Sequence, residues 1–232
     1  ALKSLPNIEL AAICTAHEDT AKISAEKYDV PLAYWNHHEL LANPDIDMVG
    51  VITRVPLHYD LTMDALRAKK PVYTEWPLGS NLNQARDMAE LAASQNVATL
   101  VGLQARQSPQ HLYIQKLIND GFIGEVLSVN LKVINSGVLT RPSDRTWQKD
   151  ITLGANTLTI SFGHAIDALC MSLGEFEELA ATVTTQIPQW YETDTNKYVD
   201  VTSPDNIAIT GVLSSGAIVS AHTASIPYHG SG

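Results

Sequence analysis

The sequence predicts an α/β protein, with a doubly wound parallel sheet first and then an α+β domain built on a large, open, mostly antiparallel sheet. Two observations predict this fold class. Over the first 124 residues, short apolar runs alternate with segments of helical periodicity. Beyond Gly124 the apolar runs lengthen, alternate with polar residues and are interrupted by one helical segment. We therefore expect two domains, comprising residues 1–124 and 125–232.

The strands of the first domain are short apolar runs bounded by polar or turn-forming residues. They are predicted over residues 8–14, 48–53, 71–74 and 98–103. The second of these runs is nearly continuous, as expected for a strand buried on both faces of a parallel sheet. Helical spacing of apolar residues predicts helices over 20–29, 57–69, 81–95 and 109–120. Asn96 and Gly121 follow the last two helices and favour the left-handed conformation in which helices end.

The second domain is predicted to contain four strands and one helix. The strands are predicted over residues 126–134, 180–187, 206–213 and 217–225, and the helix over 158–173. Ser214-Ser215-Gly216 lies between the last two strands and is typical of a hairpin turn. The polar stretch from Glu192 to Asp205 is predicted to be an exposed loop.

Charge and composition exclude several classes of partner. The formal net charge is −10, and no basic cluster exists that could bind a nucleic-acid backbone. No stretch approaches the roughly 20 apolar residues that a membrane span needs. Cys14 and Cys170 lie far apart in apolar segments, which is typical of buried free thiols in a reducing compartment, so a cytoplasmic protein is expected. No metal-ligand spacing is present, and no metal site is expected.

Polar segments follow the predicted strands of the first domain. In a doubly wound sheet, ligands bind outside the carboxyl ends of the strands. Each segment alone is what any surface loop contains, but together they are candidates for one ligand site. The segments are Thr15-Ala16-His17, Thr53-Arg54-Val55-Pro56-Leu57-His58, Glu75-Trp76-Pro77 and Gln104-Ala105-Arg106.

In order and spacing, five segments resemble motifs of the Gfo/Idh/MocA family of nicotinamide oxidoreductases, over nearly the whole chain. The closest branch includes the yeast galactose/lactose-metabolism repressor with its bacterial and fungal relatives. Thr53–His58 is similar to the family's T-P-N-x-x-H loop, and Glu75-Trp76-Pro77 to its E-K-P signature. The other three are the G-x-N-x-R stretch at Gly102–Arg106, the interdomain turn at Gly121–Val126 and the H-x-x-D helix at His164–Asp167.

The resemblance implies a function for each domain. Residues 1–124 would be a Rossmann-like dinucleotide-binding domain for NAD or NADP, and residues 125–232 would bind substrate and form a homo-oligomer, a dimer or larger. His164 would be the catalytic acid–base, with Asp167 one turn along the helix as its orienting group or a substrate contact. Arg106, Arg145 and Trp147 would contact a carbohydrate-like substrate. The dinucleotide would contact Thr15, His17, Thr53, Val55, His58, Glu75, Trp76 and Gln104.

The sequence also departs from the family pattern. The glycine-rich G-x-G-x-x-G turn would lie before residue 1, so we expect that the family's first strand and this turn are missing through truncation or disorder rather than loss. The sheet of the second domain is likewise expected to be incomplete at the C-terminal end. The family's lysine in E-K-P is Trp76, and its aspartate four residues before the histidine is Ile160. No carboxylate follows Cys14 until Glu18, which permits NADP, but no arginine lies beside this segment, so the sequence does not choose between NAD and NADP.

These departures leave two functions open. The first is an oxidoreductase that transfers hydride to or from a sugar- or polyol-like hydroxyl, with His164 exchanging the proton. The second is a non-catalytic, dinucleotide-binding regulator that acts through protein–protein contacts, as in the repressor branch. The alternative for His164 is a hydrogen-bonded histidine of a helix that faces the sheet, and a relative that shares the fold but has neither function is also left open.

Overall fold

The computed structural model describes residues 2–136 and 139–226. They divide into two compact units. The first runs to Leu78 and resumes over Leu82–Val101, and the second comprises Gly79–Asn81 and the chain from Gly102 onward. The assignment of residues 1–124 and 125–232 to two functional domains stays a prediction.

The first unit is a set of short parallel strands with helices between them, which confirms the predicted doubly wound class. Strand β1 pairs with β2 in parallel, and β3 pairs with β4 in parallel, with β5 beyond β4. The strands are β1 (Ala12–Cys14), β2 (Leu32–Tyr34), β3 (Val49–Val51), β4 (Val72–Glu75) and β5 (Thr99–Gly102). The helices are α1 (Glu18–Tyr28), α2 (His37–Ala42), α3 (His58–Arg67) and α4 (Leu82–Gln95).

Helix α3 shows why this unit is stable. Its apolar side chains at helical spacing, Met63 and Leu66, are buried against Val51, Val72 and neighbouring residues of the sheet. Burying a side chain of this size is worth about 1.5–3 kcal/mol.

Two elements of the first unit were not predicted from the sequence, namely β2 and α2. Strand β2 has only three residues, too few to show a periodic pattern. Helix α2 begins with two histidines, but its start is marked by Asn36, whose side-chain oxygen accepts a hydrogen bond from the backbone N–H of His38 at 3.0 Å.

The second unit contains a four-stranded mixed sheet and a three-stranded sheet. The order of the larger sheet is β6-β12-β11-β8, in which β11 is antiparallel to both neighbours and β6 is parallel to β12. The predicted open, mostly antiparallel sheet is thus confirmed. Its strands are β6 (Ser128–Ser136), β8 (Phe176–Thr184), β11 (Asn206–Leu213) and β12 (Ile218–Ile226). Ile207, Leu213 and Val219 form its fully buried core with Leu169 of a helix.

The smaller sheet corrects one prediction. The stretch from Glu192 to Asp205 was expected to be an exposed loop, but it contains strand β10 (Lys197–Asp200), which pairs antiparallel with β9 (Gln189–Glu192). Asn196 supplies the left-handed turn residue, with φ of 55°. The rings of Tyr191 and Tyr198 lie directly across the pair, 5.2 Å apart. Strand β7 (Thr140–Arg141) completes this sheet beside β9.

The helices of the second unit are α5 (Pro109–Asn119) and α6 (Gly163–Leu173). A π-helical turn, Leu158–Phe162, precedes α6, so the helix predicted over 158–173 is present with a widened first turn. The side-chain oxygen of Asn156 accepts hydrogen bonds from the backbone N–H groups of Leu158 and Thr159, which fixes where this turn begins. No helix among the described residues combines the length and apolar character needed to cross a membrane.

Candidate functional site

The turn after β1 is organised by threonine hydroxyls. The Thr15 side chain donates to the backbone carbonyl of His17 at 2.9 Å and lies 2.6 Å from the Thr20 hydroxyl. Backbone N–H groups at the start of α1 carry the positive end of the helix dipole. Thr15 therefore shapes the turn at the carboxyl end of β1, and His17 stands exposed on it as the residue before α1.

His58 joins the loops that follow β3 and β4. Its side chain is 1% exposed, with Nδ1 2.8 Å from the Pro77 carbonyl oxygen and Nε2 3.0 Å from the Thr53 carbonyl oxygen. Val55 is buried in the same turn, while the Thr53 side chain is exposed. The histidine predicted to contact the dinucleotide is thus placed inside the protein, where it positions both loops. The Trp76–Pro77 peptide of the second loop is cis.

Glu75 and Trp76 are half-buried at the end of β4. The Tyr73 hydroxyl donates to Glu75 Oε1 at 2.7 Å, which fixes that carboxylate on the strand end. Burial, followed by this hydrogen bond, raises the pKa of Tyr73 to about 12. The tyrosine therefore remains a hydrogen-bond donor at every physiological pH.

In the second unit, Arg106 and Asp167 form a bidentate ion pair. Arg106 follows β5 in a short 3₁₀ helix, and its Nε and Nη2 lie 3.0 Å and 2.6 Å from Asp167 Oδ1. The hydrogen bond to Asp167 is the largest cause that raises the pKa of Arg106. Gln104, in the same short helix, is exposed. The structure therefore couples a predicted substrate residue to a predicted catalytic residue.

His164 lies on the first turn of α6, three residues before Asp167, and is half-buried. It is four residues after Ile160, so the two side chains share one side of the helix. Arg145 is exposed and Trp147 half-buried in the 3₁₀ helix Ser143–Lys149. That helix is held by Thr146, whose hydroxyl donates to Glu192 Oε1 at 2.6 Å.

A cavity of about 220 Å³ in the second unit is lined by residues that the sequence did not identify as candidates for a site. Ile160 and Ser161 of the π-helical turn form one wall, and the ends of β6 and β12 form another. Most of its polar lining is hydroxyl or amide, from residues such as Asn135, Ser136, Gln148, Ser161, Ser203 and Ser225. Because these residues come from five separate segments, no local motif could have predicted the cavity.

Arg141 is the cationic group of this cavity. Its guanidinium carbon lies 4.1 Å from the ring centre of Trp190, and Nη1 donates to the side-chain oxygen of Gln148. Burial, followed by the nearby charge of Arg145, lowers the pKa of Arg141.

Three side chains of the first unit have the composition of a metal site, although none was expected. His37 and His38 of α2 and Asp64 of α3 hold their ligand atoms within 4.8 Å of one another. Arg67 Nη1 also lies 3.0 Å from Asp64 Oδ1. The hydrogen bond from His37 is the largest cause that lowers the pKa of Asp64, with Arg67 and His38 acting in the same direction. This group could not be predicted from the spacing of residues in the sequence, because its three side chains come from two helices.

Both cysteines are free and half-buried, as expected. Burial raises the pKa of the Cys14 thiol, and it raises the pKa of the Cys170 thiol to about 11. Neither is therefore a reactive thiolate near neutral pH.

Two family models match this chain. The oxidoreductase family with an NAD-binding Rossmann fold matches residues 1–103, and the Gal80p C-terminal domain matches residues 109–227, over half of the chain. The chain belongs to the Gfo/Idh/MocA oxidoreductase family. The resemblance drawn from five motifs is confirmed, and so is its placement near the Gal80 branch.

Relatives of this Gfo/Idh/MocA chain include both dehydrogenases and regulators. Dehydrogenase aclE of Aspergillus oryzae is 34% identical over 88% of this chain and 58% of its own length. The galactose/lactose metabolism regulatory protein GAL80 of Kluyveromyces lactis is 30% identical over 75% of this chain and 41% of its own. The crystal structure of an NAD binding oxidoreductase from Klebsiella pneumoniae has a TM-score of 0.86, with 26% identity over 96% of this chain and 59% of that one. The chain thus spans about half the length of the curated relatives.

Family membership makes a nicotinamide dinucleotide the cofactor of this fold. The first unit fits such a group at the carboxyl ends of its parallel strands, where His58 holds the loops after β3 and β4 side by side. Trp76 and Ile160 are two of the departures from the family pattern, and Ile160 lies in the wall of the cavity.

Proposed function

We propose that this protein is an NAD(P)-dependent oxidoreductase that transfers hydride to or from a hydroxyl of a sugar- or polyol-like substrate. The observation that supports it most is the hydroxyl- and amide-lined cavity whose wall includes Ile160 and Ser161, in the π-helical turn that leads into α6; His164 is not itself among the lining residues. The family supplies the cofactor class, and the cavity supplies the chemistry that recognises the substrate.

The cavity suits a small, hydroxylated molecule. Its volume of about 220 Å³ is below the range of roughly 300–1,000 Å³ that accommodates drug-sized ligands. Serine hydroxyls and asparagine or glutamine amides both donate and accept hydrogen bonds, which matches the dual character of substrate hydroxyl groups. The apolar lining from Ile160, Ile187 and Trp190 suits the C–H faces of such a molecule.

His164 is the proposed acid–base. When bound, the dinucleotide accepts the hydride from the substrate carbon, or returns it in the reverse direction. The imidazole of His164 takes the hydroxyl proton as the carbonyl forms. The ion pair with Arg106 holds Asp167, three residues along α6, in a fixed position. Asp167 is accordingly proposed as a group that orients this helix turn.

Trp76 changes how the developing negative charge is stabilised. An indole offers one neutral N–H donor, whereas the family's lysine at this position offers an ammonium. His164 then carries more of the proton transfer alone. The remaining predicted contacts with the dinucleotide, from Thr15, His17, Thr53, Val55, Glu75 and Gln104, stay proposals.

A second candidate is a dinucleotide-binding regulator that acts through protein contacts. It is favoured by the loss of the lysine at Trp76 and of the aspartate at Ile160, together with the likeness to GAL80. The net charge of −10 suits a protein partner better than a nucleic acid. Homo-oligomerisation through the second domain is proposed under either function.

Turnover separates the two candidates. The purified protein would be tested for NADH and NADPH binding by fluorescence, and for oxidation of a panel of sugars, polyols and hydroxy acids. We expect turnover that falls about 10²–10⁴-fold in His164→Ala, with dinucleotide binding retained. His111→Ala, which removes another helical histidine of the same unit, is the control. Dinucleotide binding with no turnover on the panel would favour the regulator.

A further inference from the structure

Arg141 is a half-buried cation for which the described chain provides no counterion. Its guanidinium makes two contacts, with the Gln148 side chain and with the Trp190 ring, and no carboxylate lies within 4 Å of it among the described residues. Residues 137–138 and 227–232 contain no aspartate or glutamate. A guanidinium that is removed from water without an opposite charge is costly, so this arrangement calls for an explanation.

The nearest carboxylates are already engaged elsewhere. Asp205 lines the cavity, but its two oxygens accept hydrogen bonds from the backbone N–H groups of Gln186 at 2.8 Å and Ile187 at 2.7 Å. Glu192 is paired with Arg141 in the strand register, but its oxygens accept from Thr146 at 2.6 Å and Thr195 at 2.7 Å. Both carboxylates keep their charge, but among the described residues neither makes an ion pair with Arg141.

The lining of the cavity includes one cation, Arg141, and one carboxylate, Asp205, and no ion pair joins them among the described residues. Arg145, which is not part of the lining, is close enough to Arg141 to disfavour its charge. The Nε of Arg141 is buried without a hydrogen-bond partner. A buried donor without a partner is unfavourable, so the guanidinium is not fully satisfied by the described residues.

The geometry of Arg141 indicates which anion would bind. The guanidinium carbon lies over the Trp190 ring, 4.1 Å from its centre, and this contact restrains the group while Nη2 remains to donate. A planar guanidinium matches a planar carboxylate with two parallel hydrogen bonds. The surrounding serine and asparagine side chains match hydroxyl groups next to that carboxylate, and the small volume favours a single sugar-sized molecule.

We propose that the substrate is a hydroxylated carboxylate, of the sugar-acid or hydroxy-acid class, whose carboxylate binds Arg141 and whose hydroxyls bind the polar wall around Ser161. This inference rests on the proposed oxidoreductase function, because it names the substrate class of the same site. Arg141 acts as a specificity-determining residue.

Matched substrate pairs test the proposal. Each aldonate or uronate would be compared with the neutral aldose or polyol of the same configuration, using kcat/KM and, independently of turnover, calorimetric binding. Wild type is expected to prefer the acid. Arg141→Gln should lower kcat/KM for the acid about 10–100-fold, as expected for loss of hydrogen bonds to a charged group, and leave the neutral partner within about twofold.

Two further variants guard against a folding defect. Arg141→Lys retains the charge but not the two-pronged geometry, so it should lie between wild type and Arg141→Gln. Arg86→Gln, an exposed arginine of α4, should behave as wild type. Thermal unfolding of each variant shows whether the fold is retained.

The outcomes distinguish this inference from the function on which it rests. Turnover of neutral sugars with no preference for acids, or a preference for phosphate esters, would overturn the inference and leave the oxidoreductase function intact. Acid binding that depends on Arg141 but is never followed by turnover would support the inference and contradict the oxidoreductase function. Binding of acids that is equal in wild type and Arg141→Gln would overturn it outright.

Discussion

Arg106 Nη2 lies 2.6 Å from Asp167 Oδ1, and this ion pair links the turn after β5 to helix α6. Asp167 is mostly buried, with 13% of its side chain exposed, whereas the Arg106 side chain is 51% exposed. The carboxylate is therefore held by the arginine on the helix that carries His164. Asp167 therefore positions the helix that carries His164, and a substitution of Asp167 should act through the position of that helix.

Breaking the ion pair between Arg106 and Asp167 should lower stability only slightly and should lower activity more. Asp167→Asn and Arg106→Gln are each expected to lower the free energy of unfolding by about 1 kcal/mol or less, because one partner is half-exposed. In a double-mutant cycle the two effects should be non-additive, since either substitution removes the same interaction. Urea unfolding measures this, and kcat should fall in both variants while KM changes little. Additive losses would show that the pair is not coupled.

His58→Ala should be among the most destabilising substitutions in the first unit. It removes a ring whose two nitrogens lie within 3.0 Å of the Pro77 and Thr53 carbonyl oxygens, one of which accepts its N–H, and it opens a cavity in the core. We expect a loss of about 2–4 kcal/mol by urea unfolding, accompanied by weaker dinucleotide binding as the two loops separate. His38→Ala, an exposed histidine, should change stability by less than about 0.5 kcal/mol. Full stability of His58→Ala would contradict its positioning role.

Gly154→Ala should destabilise the second unit strongly. Gly154 has φ of 73°, and a Cβ there would lie 2.4 Å from the Ser80 Cα, a backbone atom that cannot move aside easily. Gly216 has φ of 88°, but no atom lies within 4 Å of its Cβ position. We expect a loss of about 3 kcal/mol for Gly154→Ala and about 1 kcal/mol for Gly216→Ala, measured by thermal unfolding. Equal losses would show that the contact with Ser80 is unimportant.

Asp64 should make stability depend on acid pH. The pKa of Asp64 is lower in the folded protein than its ordinary value of 3.8. Its contribution to the free energy of unfolding is therefore fully present above the unfolded-state pKa and is lost as pH falls through the folded-state pKa. Wild type should therefore exceed Asp64→Asn in stability at pH above about 4, and the difference should shrink in more acidic solution. The exposed Asp45→Asn is the control, and urea midpoints across acid pH are the measurement. A difference that grows on acidification would contradict the assignment.

Much of the fold could be predicted because apolar periodicity determines its main elements. Strand β11 has the predicted bounds, and α6 lies within the predicted helix. Short elements and elements made of polar residues could not be predicted in this way. Strand β10 forms because Asn196 turns the chain and because Tyr198 packs against Tyr191 on β9. The polar local sequence shows neither the turn nor this contact.

The site was predictable only in part, for a similar reason. Residues after parallel strands converge by topology, so the loops at Thr53 and Glu75 could be identified from sequence. The burial of His58 and the engagement of Asp167 by Arg106 depend on tertiary packing. Arg141 and Trp190 come from two strands of a small sheet whose pairing no motif encodes.

Transfer of deuterium from substrate to cofactor tests the proposed function most directly. A substrate labelled with deuterium on the carbinol carbon would be incubated with the protein and the oxidised dinucleotide, and the reduced dinucleotide analysed by mass spectrometry. We predict that the label appears in the dinucleotide with wild type, and about 10²–10⁴-fold more slowly with His164→Ala. A protein that binds the dinucleotide but never transfers the label from any sugar, polyol or hydroxy acid would contradict the account.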